Sequence, residues 1–129
     1  MAEGQRWLAD LRNVSLRAGD LRDELQRLDE NSIDCIISCY ALAYISPAEL
    51  DEVLRLAWRA ARKAVILMEP QVIGREVPST SQLIEWAHDY RQAMQKLGAA
   101  PEIVLLPPDI RQGALTAVMI APKPPTPRP

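Results

Sequence analysis

Short apolar runs alternate with helical patterns along this chain, and this alternation constrains its fold more than any other feature. Four continuous apolar runs span residues 33–44, 63–70, 102–109 and 114–123. Runs of this kind are typical of strands buried on both faces. A fifth run, 13–20, alternates Val14 and Leu16 with polar residues before a Gly-Asp stop. The pattern predicts an α/β fold in which helices cover a mostly parallel sheet.

Helix signals separate these runs. Ser46-Pro47-Ala48-Glu49 combines an N-cap residue, a proline at the first helical position and a Glu that can reach back, which is a capping box. The apolar stripe that follows is Leu50, Val53, Leu54, Ala57 and Ala61. A second box, Ser79 to Gln82, predicts a helix that ends at Gly98 and has the stripe Leu83, Ala87, Tyr90, Met94 and Leu97. Shorter helices are predicted at 2–11 and 21–28.

The C-terminal part has its own signals. The runs 102–109 and 114–123 are too close together for a crossover helix, so they are predicted to form an antiparallel hairpin. The last eight residues, PKPPTPRP, cannot form regular hydrogen bonds because of their prolines. We therefore expect one domain over 1–121 and a disordered tail over 122–129.

Composition excludes several classes of function. The net charge of -2 and the scattered basic residues give no attraction for phosphate backbones, which argues against nucleic-acid binding. No apolar run approaches the ~20 residues that span a bilayer. The N-terminus has no cationic stretch followed by an apolar core, so no secretory signal is predicted. A cytoplasmic protein is the expectation.

The two cysteines lie four residues apart in an apolar run. On a strand, Cys35 and Cys39 would point to the same face, too far apart to form a disulfide without distortion. No histidine or further cysteine lies nearby, which argues against a metal site. Buried, reduced thiols are therefore expected.

Three segments in order resemble a known family. They are RAGDL (17–21), NSIDCIISCYALAYISPAELDEVLRLAWRAARK (31–63) and AVILMEP (64–70). Together they are similar to the middle and end of a class I S-adenosylmethionine-dependent methyltransferase, and the closing pair of runs is similar to the last two strands of that family. The resemblance covers about residues 1–121. It implies a Rossmann-like three-layer sandwich, S-adenosyl-L-methionine as cofactor, and methyl transfer to a small-molecule acceptor.

The sequence departs from the family at the cofactor loop. The family holds the cofactor with a Gly-rich turn after its first strand, and no GxGxG occurs here. The five glycines, Gly4, Gly19, Gly74, Gly98 and Gly113, never cluster. The resemblance thus predicts an N-terminally truncated domain or a fragment of a larger one. The alternative is a non-catalytic interaction or scaffold module that has lost the cofactor.

Truncation also predicts a strand order. In the family, the third strand is separated from the fourth by the first two. Without those two, the run 13–20 is expected to pair directly with 33–44, followed in the sheet by 63–70, 114–123 and 102–109. Otherwise the edge of the sheet is left exposed and available to a partner chain or a second copy.

The resemblance assigns cofactor contacts to two groups of residues. Gly19, Asp20 and Leu21 would lie beside the adenine, with the Asp20 carboxylate accepting from the amino group and the backbone of Leu21 reading the ring edge. A second interpretation makes Asp20 the N-cap of the next helix, and the two are compatible. Ser38, Cys39 and Tyr40 would line the methionine end and the methyl acceptor, with Ala41 and Leu42 as an apolar wall.

The remaining candidates concern the acceptor. Tyr44, Glu69 and Trp86 are candidate substrate contacts, and the alternatives are packing for the aromatic residues and strand termination for Glu69. Tyr40 and His88 are the candidate catalytic residues. A neutral His88 imidazole can remove a proton from an acceptor hydroxyl, whereas its position off the apolar stripe also suits a solvated surface residue. Asp34 begins a strand at the end away from the chemistry and is interpreted as structural.

Overall fold

The computed structural model describes residues 2–71, 77–78, 86–106 and 116–125. Helices are α1 (Ala2–Trp7), α2 (Leu21–Arg27), α3 (Pro47–Ala60) and α4 (Tyr90–Lys96). Strands are β1 (Ile33–Cys39), β2 (Ala61–Pro70), β3 (Val77–Pro78), β4 (Trp86–Ala87), β5 (Glu102–Leu105) and β6 (Thr116–Pro122). A short 3₁₀ turn, Leu42–Tyr44, follows β1.

The main sheet has four strands in the order β1-β2-β6-β5. β1 and β2 are parallel, with Ile37 opposite Ile66, whereas β6 is antiparallel to both β2 and β5. The order predicted for the last four runs and the C-terminal antiparallel pair are therefore confirmed. β3 and β4 form a separate two-stranded ribbon.

The predicted strand at 13–20 is wrong. The structure assigns no strand to residues 2–32, and among the described residues β1 pairs with β2 alone. A strand needs a neighbour to satisfy its backbone groups, and the segment has none, so Val14 and Leu16 remain 41% and 39% exposed. The sheet consequently has an open edge at β1.

Helix α3 supplies more of the buried core than any other described helix. It begins after Ser46, as predicted, although the Ser46 hydroxyl donates to Glu49 Oε2 at 2.8 Å and does not accept from the first-turn amides. Its apolar face is buried through Leu50, Val53, Leu54, Leu56 and Ala57. Helical spacing places these residues on one face, which packs against β2.

The two faces of the sheet differ sharply. On the covered face, Val65, Leu67 and Met119 are at most 1% exposed. On the opposite face, Ile37 and Val104 are 68% and 58% exposed. Side chains alternate between faces along a strand, so these values describe a sheet that is packed on one side. Within the described ranges, helices therefore cover one face of the Rossmann-like α/β sheet and leave the other open.

Helix α4 begins later than predicted. Trp86 and Ala87 lie in β4, and Asp89 is the N-cap, accepting from Gln92 N at 2.9 Å. The predicted end is confirmed: Gly98 has φ +84°, and Ala99 N donates to Met94 O at 3.1 Å, which is a Schellman motif. The predicted box Ser79 to Gln82 lies outside the described residues.

Strand β6 extends into the first residue of the predicted tail, whose disorder stays a prediction. Pro122 is the last residue of β6, and Lys123 N donates to Lys63 O at 2.7 Å. Pairing with β2 thus carries the chain one residue beyond the strand, and residues 126–129 lie outside the described part. None of the helices described here is long and apolar enough to cross a membrane.

Candidate functional site

Ser38, Cys39 and Tyr40 lie at the carboxyl end of β1, as predicted. Because β1 and β2 are parallel, this end meets the carboxyl end of β2 at the same edge of the sheet, where Cys39 is opposite Met68. Tyr40 N donates to Met68 O at 3.0 Å, and Tyr40 has φ +53°. A left-handed conformation is unfavourable for a non-glycine residue, so the surrounding contacts hold Tyr40 in place.

Glu69 is the central polar group of this edge, and it is 0% exposed. Its Oε1 accepts from Ser38 Oγ at 2.6 Å and from the backbone N–H groups of Ala41 and Leu42, each at 3.2 Å. Burial raises the pKa of the Glu69 carboxyl, while the hydrogen bonds from Ser38 and Leu42 act in the opposite direction. Oε1 is thus engaged by the protein's own groups, and a contact of Glu69 with substrate stays a prediction.

A second buried polar group lies close to Glu69. The Tyr90 hydroxyl and Glu69 Oε2 are both buried, and neither has a hydrogen-bond partner within the part of the chain that the structure describes. Burial, and secondarily the charge of Glu69, raise the pKa of the Tyr90 phenol above its ordinary value. The hydroxyl therefore stays protonated, and its desolvation is not compensated.

We expect Tyr90→Phe to raise the free energy of unfolding by about 1 kcal/mol, because it removes an unsatisfied buried hydroxyl and keeps the ring. Urea denaturation measures the change. Tyr90→Leu is the matched control, and it should destabilise the protein because it removes the ring as well. A lower stability of Tyr90→Phe would show that the hydroxyl has a partner.

His88 is buried, at 0% exposed, so the interpretation as a solvated surface residue is wrong. Its Nε2 lies 2.9 Å from Ile45 O; a carbonyl only accepts, so Nε2 carries a proton in this contact. The ring stacks on Trp86 at 6.5 Å and meets the edge of Tyr90 at 5.4 Å. His88 therefore ties the ribbon to the chain just after the 3₁₀ turn.

Asp20 is the N-cap of α2, which confirms one of its two predicted roles. Its Oδ1 accepts from Arg22 N at 3.0 Å and from Asp23 N at 3.3 Å. Asp20 is exposed, and both bonds use the same oxygen. The cap thus occupies Oδ1 of an exposed carboxylate, and Oδ2 is not needed for the cap.

Gly19 and Leu21 lie on an open cavity of about 600 Å³. The cavity follows α2 and reaches the first residue of β1; its lining is Ser15, Arg17, Gly19, Leu21, Glu24, Leu25, Leu28 and Ile33. It lies beside β1, the strand that forms the open edge of the sheet. Ile33 and Cys39 are at opposite ends of that strand, ~20 Å apart by strand geometry.

Both cysteines are exposed, not buried as expected. The reason is that Cys35 and Cys39 point to the open face of the sheet, with Ile37 between them. The described residues contain no group of His, Cys, Asp or Glu able to hold a metal ion. Asp34 is structural, as predicted: it pairs with Arg62 and, at 3.0 Å, with Lys63, and the hydrogen bonds from Lys63 and Arg62 lower its pKa.

The structure thus joins some candidates and separates others. Ser38, Tyr40 and Glu69 form one connected group at the carboxyl edge. Trp86 and His88 reach this group through Ile45, while Tyr44, on the 3₁₀ turn, is 55% exposed. Asp20 and its neighbours lie along α2. Sequence reasoning missed the amides of Ala41 and Leu42 as partners of Glu69; the available signal was a carboxylate ending an apolar strand, which requires a partner when buried.

Solved structures share this fold. A SAM-dependent methyltransferase from Archaeoglobus fulgidus superposes with a TM-score of 0.62 and 12% identity, over 88% of this chain and 70% of that one. The 1,6-didemethyltoxoflavin-N1-methyltransferase of Burkholderia thailandensis was solved with bound 1,6-didemethyltoxoflavin and S-adenosylhomocysteine. It superposes with a TM-score of 0.68 and 18% identity, over 95% of this chain and 55% of that one. A SAM-dependent methyltransferase from Leishmania major superposes with a TM-score of 0.71 and 15% identity, over 95% of this chain and 50% of that one.

The chain has the class I SAM-dependent methyltransferase fold. It spans between 50% and 70% of the length of these three proteins. No protein-family model and no curated protein sequence matches it. At identities of 12% to 18%, the similarity establishes the fold and leaves the activity to be argued from the residues.

Proposed function

We propose that this chain takes part in the transfer of a methyl group from S-adenosylmethionine to a small-molecule acceptor. The carboxyl edge of β1 and β2 carries the proposal, because ligands of open α/β sheets bind at this edge. There the strained residue Tyr40 and the exposed residue Tyr44 follow the end of β1. When bound, S-adenosylmethionine supplies an electrophilic methyl group on its sulfur.

The residues of this chain can contact the adenine and the methionine end of the cofactor, but the sequence lacks the turn that cradles the methionine moiety. Oδ2 of Asp20 can accept from the adenine amino group while Oδ1 keeps the helix cap. Ser38, Cys39 and Tyr40 would lie at the methionine end, and Tyr44 and Trp86 toward the acceptor. The sequence contains no Gly-rich turn to cradle the methionine moiety, so the affinity of this chain for the cofactor should be weak.

No general base is required by this proposal. Methyl transfer from a sulfonium depends mainly on proximity and in-line geometry. His88 is buried and its Nε2 bonds to Ile45 O, so we assign it to holding the chain after the 3₁₀ turn. Tyr40 is then the candidate that contacts the reacting groups.

Binding of S-adenosylhomocysteine tests the proposal. We expect weak binding, which Asp20→Ser should reduce about tenfold, because one charge-assisted hydrogen bond is lost. Serine is as good an N-cap as aspartate, so this variant keeps α2 intact. Isothermal titration calorimetry measures the affinity, and Asp23→Ser, which changes a carboxylate one turn along, is the control. Equal affinities of wild type and Asp20→Ser would refute the adenine contact.

The open edge favours a second function, that of an interaction module. Among the described residues β1 pairs on one side only, an apolar face is exposed at Ile37 and Val104, and a cavity reaches Ile33 at the start of β1. Such an edge is suited to pairing with another chain. Sedimentation of the purified chain over a range of concentrations tests for self-association, which Ile37→Lys should abolish.

A further inference from the structure

We infer that Glu69 is a positioning residue that fixes the segment 40–45 at the carboxyl edge of the sheet. The inference rests on the proposed function for what the segment does, and on the geometry alone for how the segment is held. Glu69 touches no ligand in this role. It acts through Tyr40, the residue that we assign to the site.

The first support is the set of donors that converge on one atom. Glu69 Oε1 accepts from Ser38 Oγ, Ala41 N and Leu42 N. The first N–H groups of a helical turn lack partners within the turn, and here the turn begins at Leu42, which is 3% exposed. A buried N–H group is costly unless it is bonded, so the carboxylate supplies the acceptor that this turn needs.

The second support is the position of Tyr40 between two anchors. Tyr40 N donates to Met68 O, and the next amide, Ala41 N, donates to Glu69. Consecutive residues of β2 thus hold the backbone on both sides of a residue with φ +53°. A strained conformation persists only where its surroundings enforce it, and Glu69 provides one of the two contacts that do so.

The third support is the far end of the same segment. Ile45 N donates to Leu42 O at 3.0 Å, and Ile45 O lies 2.9 Å from His88 Nε2. Two buried polar side chains, Glu69 and His88, therefore hold the start and the end of the segment. Tyr40 and Tyr44 remain exposed between them, at 37% and 55%.

Hydrogen exchange tests the inference in the intact 129-residue chain. We expect Glu69→Gln to speed exchange of the Ala41 and Leu42 amides about tenfold, because a neutral amide is a weaker acceptor than a carboxylate. Exchange at Leu54 and Val65, in the core, should stay unchanged. Ser38→Ala leaves the carboxylate in place and should have a smaller effect on the same two amides. Glu52→Gln, on the exposed side of α3, is the matched control. Unchanged exchange at Ala41 and Leu42 in Glu69→Gln would overturn the inference.

A second variant and a second readout keep the test decisive. If Glu69→Gln does not fold, Glu69→Asp, whose shorter side chain draws the carboxylate away from Ala41 N and Leu42 N, must still speed exchange at these two amides, or the inference fails. Affinity for S-adenosylhomocysteine, measured by calorimetry, should fall in Glu69→Gln although Glu69 does not contact the ligand. Faster exchange with unchanged affinity would show a structural role only and would overturn the positioning role. If wild type itself fails to bind, the proposed function fails while the exchange result still decides whether Glu69 holds the segment.

Discussion

Leu67→Ala is expected to lower the free energy of unfolding by about 3 kcal/mol, whereas Ile37→Ala should lower it by less than about 1 kcal/mol. The two residues lie on adjacent strands, and Leu67 is opposite Ser38, the neighbour of Ile37. They point to opposite faces: Leu67 is 1% exposed and Ile37 is 68% exposed. Loss of a buried side chain removes apolar burial and leaves a cavity, while an exposed one has little to lose.

Urea denaturation of both variants beside wild type measures this difference. Val65→Ala, also on the covered face of β2, is a second control. It should lower the free energy of unfolding by less than Leu67→Ala, because valine loses fewer buried atoms than leucine. Equal losses for Leu67→Ala and Ile37→Ala would mean that the open face is covered in solution. In that case the description of a sheet packed on one side would be wrong.

Arg59→Ala is expected to lower the free energy of unfolding by about 2 kcal/mol. Arg59 lies on α3 and its guanidinium donates to carbonyls at the end of α2, with Nη2 to Gln26 O at 3.1 Å and to Leu28 O at 2.7 Å. A cation at the end of a helix satisfies free carbonyls and complements the helix dipole. Asn31 N also donates to the backbone carbonyl of Arg59 at 3.0 Å, a bond that Arg59→Ala keeps, so the expected loss comes from the cap on α2.

The matched control is Arg55→Ala, on the same helix. Arg55 is exposed and pairs with Glu52 at 2.9 Å, and surface ion pairs contribute little, so the loss should be at most about 0.5 kcal/mol. Arg59→Lys keeps the positive charge and should recover part of the stability. The recovery should be incomplete, because an ammonium cannot reach several carbonyls with fixed geometry. If Arg59→Ala is no worse than Arg55→Ala, the cap on α2 does not matter for stability.

The sequence predicted the parts of the fold that local patterns specify. The apolar runs that form β1 and β2 are recognisable because each is a short continuous apolar stretch between helix signals. The start of α3 at Ser46-Pro47 and the end of α4 at Gly98 were predictable because these residue types favour helix ends by their local conformation. The strand at 13–20 failed because strand formation depends on a neighbour that local sequence cannot supply.

The site was less predictable, because its contacts join residues far apart in the chain. Glu69 could be placed at the end of β2, but its bonds to Ala41 and Leu42 cross 28 and 27 residues and use backbone amides, which are identical in every sequence. His88 was placed on a helix, and the observed strand bridge to Gln71 buries it instead. The cysteines are expected inside because they lie in an apolar run that is typical of a strand buried on both faces.

An NMR titration of the ¹⁵N-labelled chain with S-adenosylhomocysteine up to millimolar concentration would reveal the proposed cofactor site, since chemical-shift changes report binding that is too weak for other methods. We expect shifts at Gly19, Asp20 and Leu21 and along the segment 38–44, and smaller shifts at the same positions in Asp20→Ser. Shifts confined to other surfaces, or no shifts at millimolar ligand from a folded chain, would contradict a cofactor site at the carboxyl edge of β1 and β2.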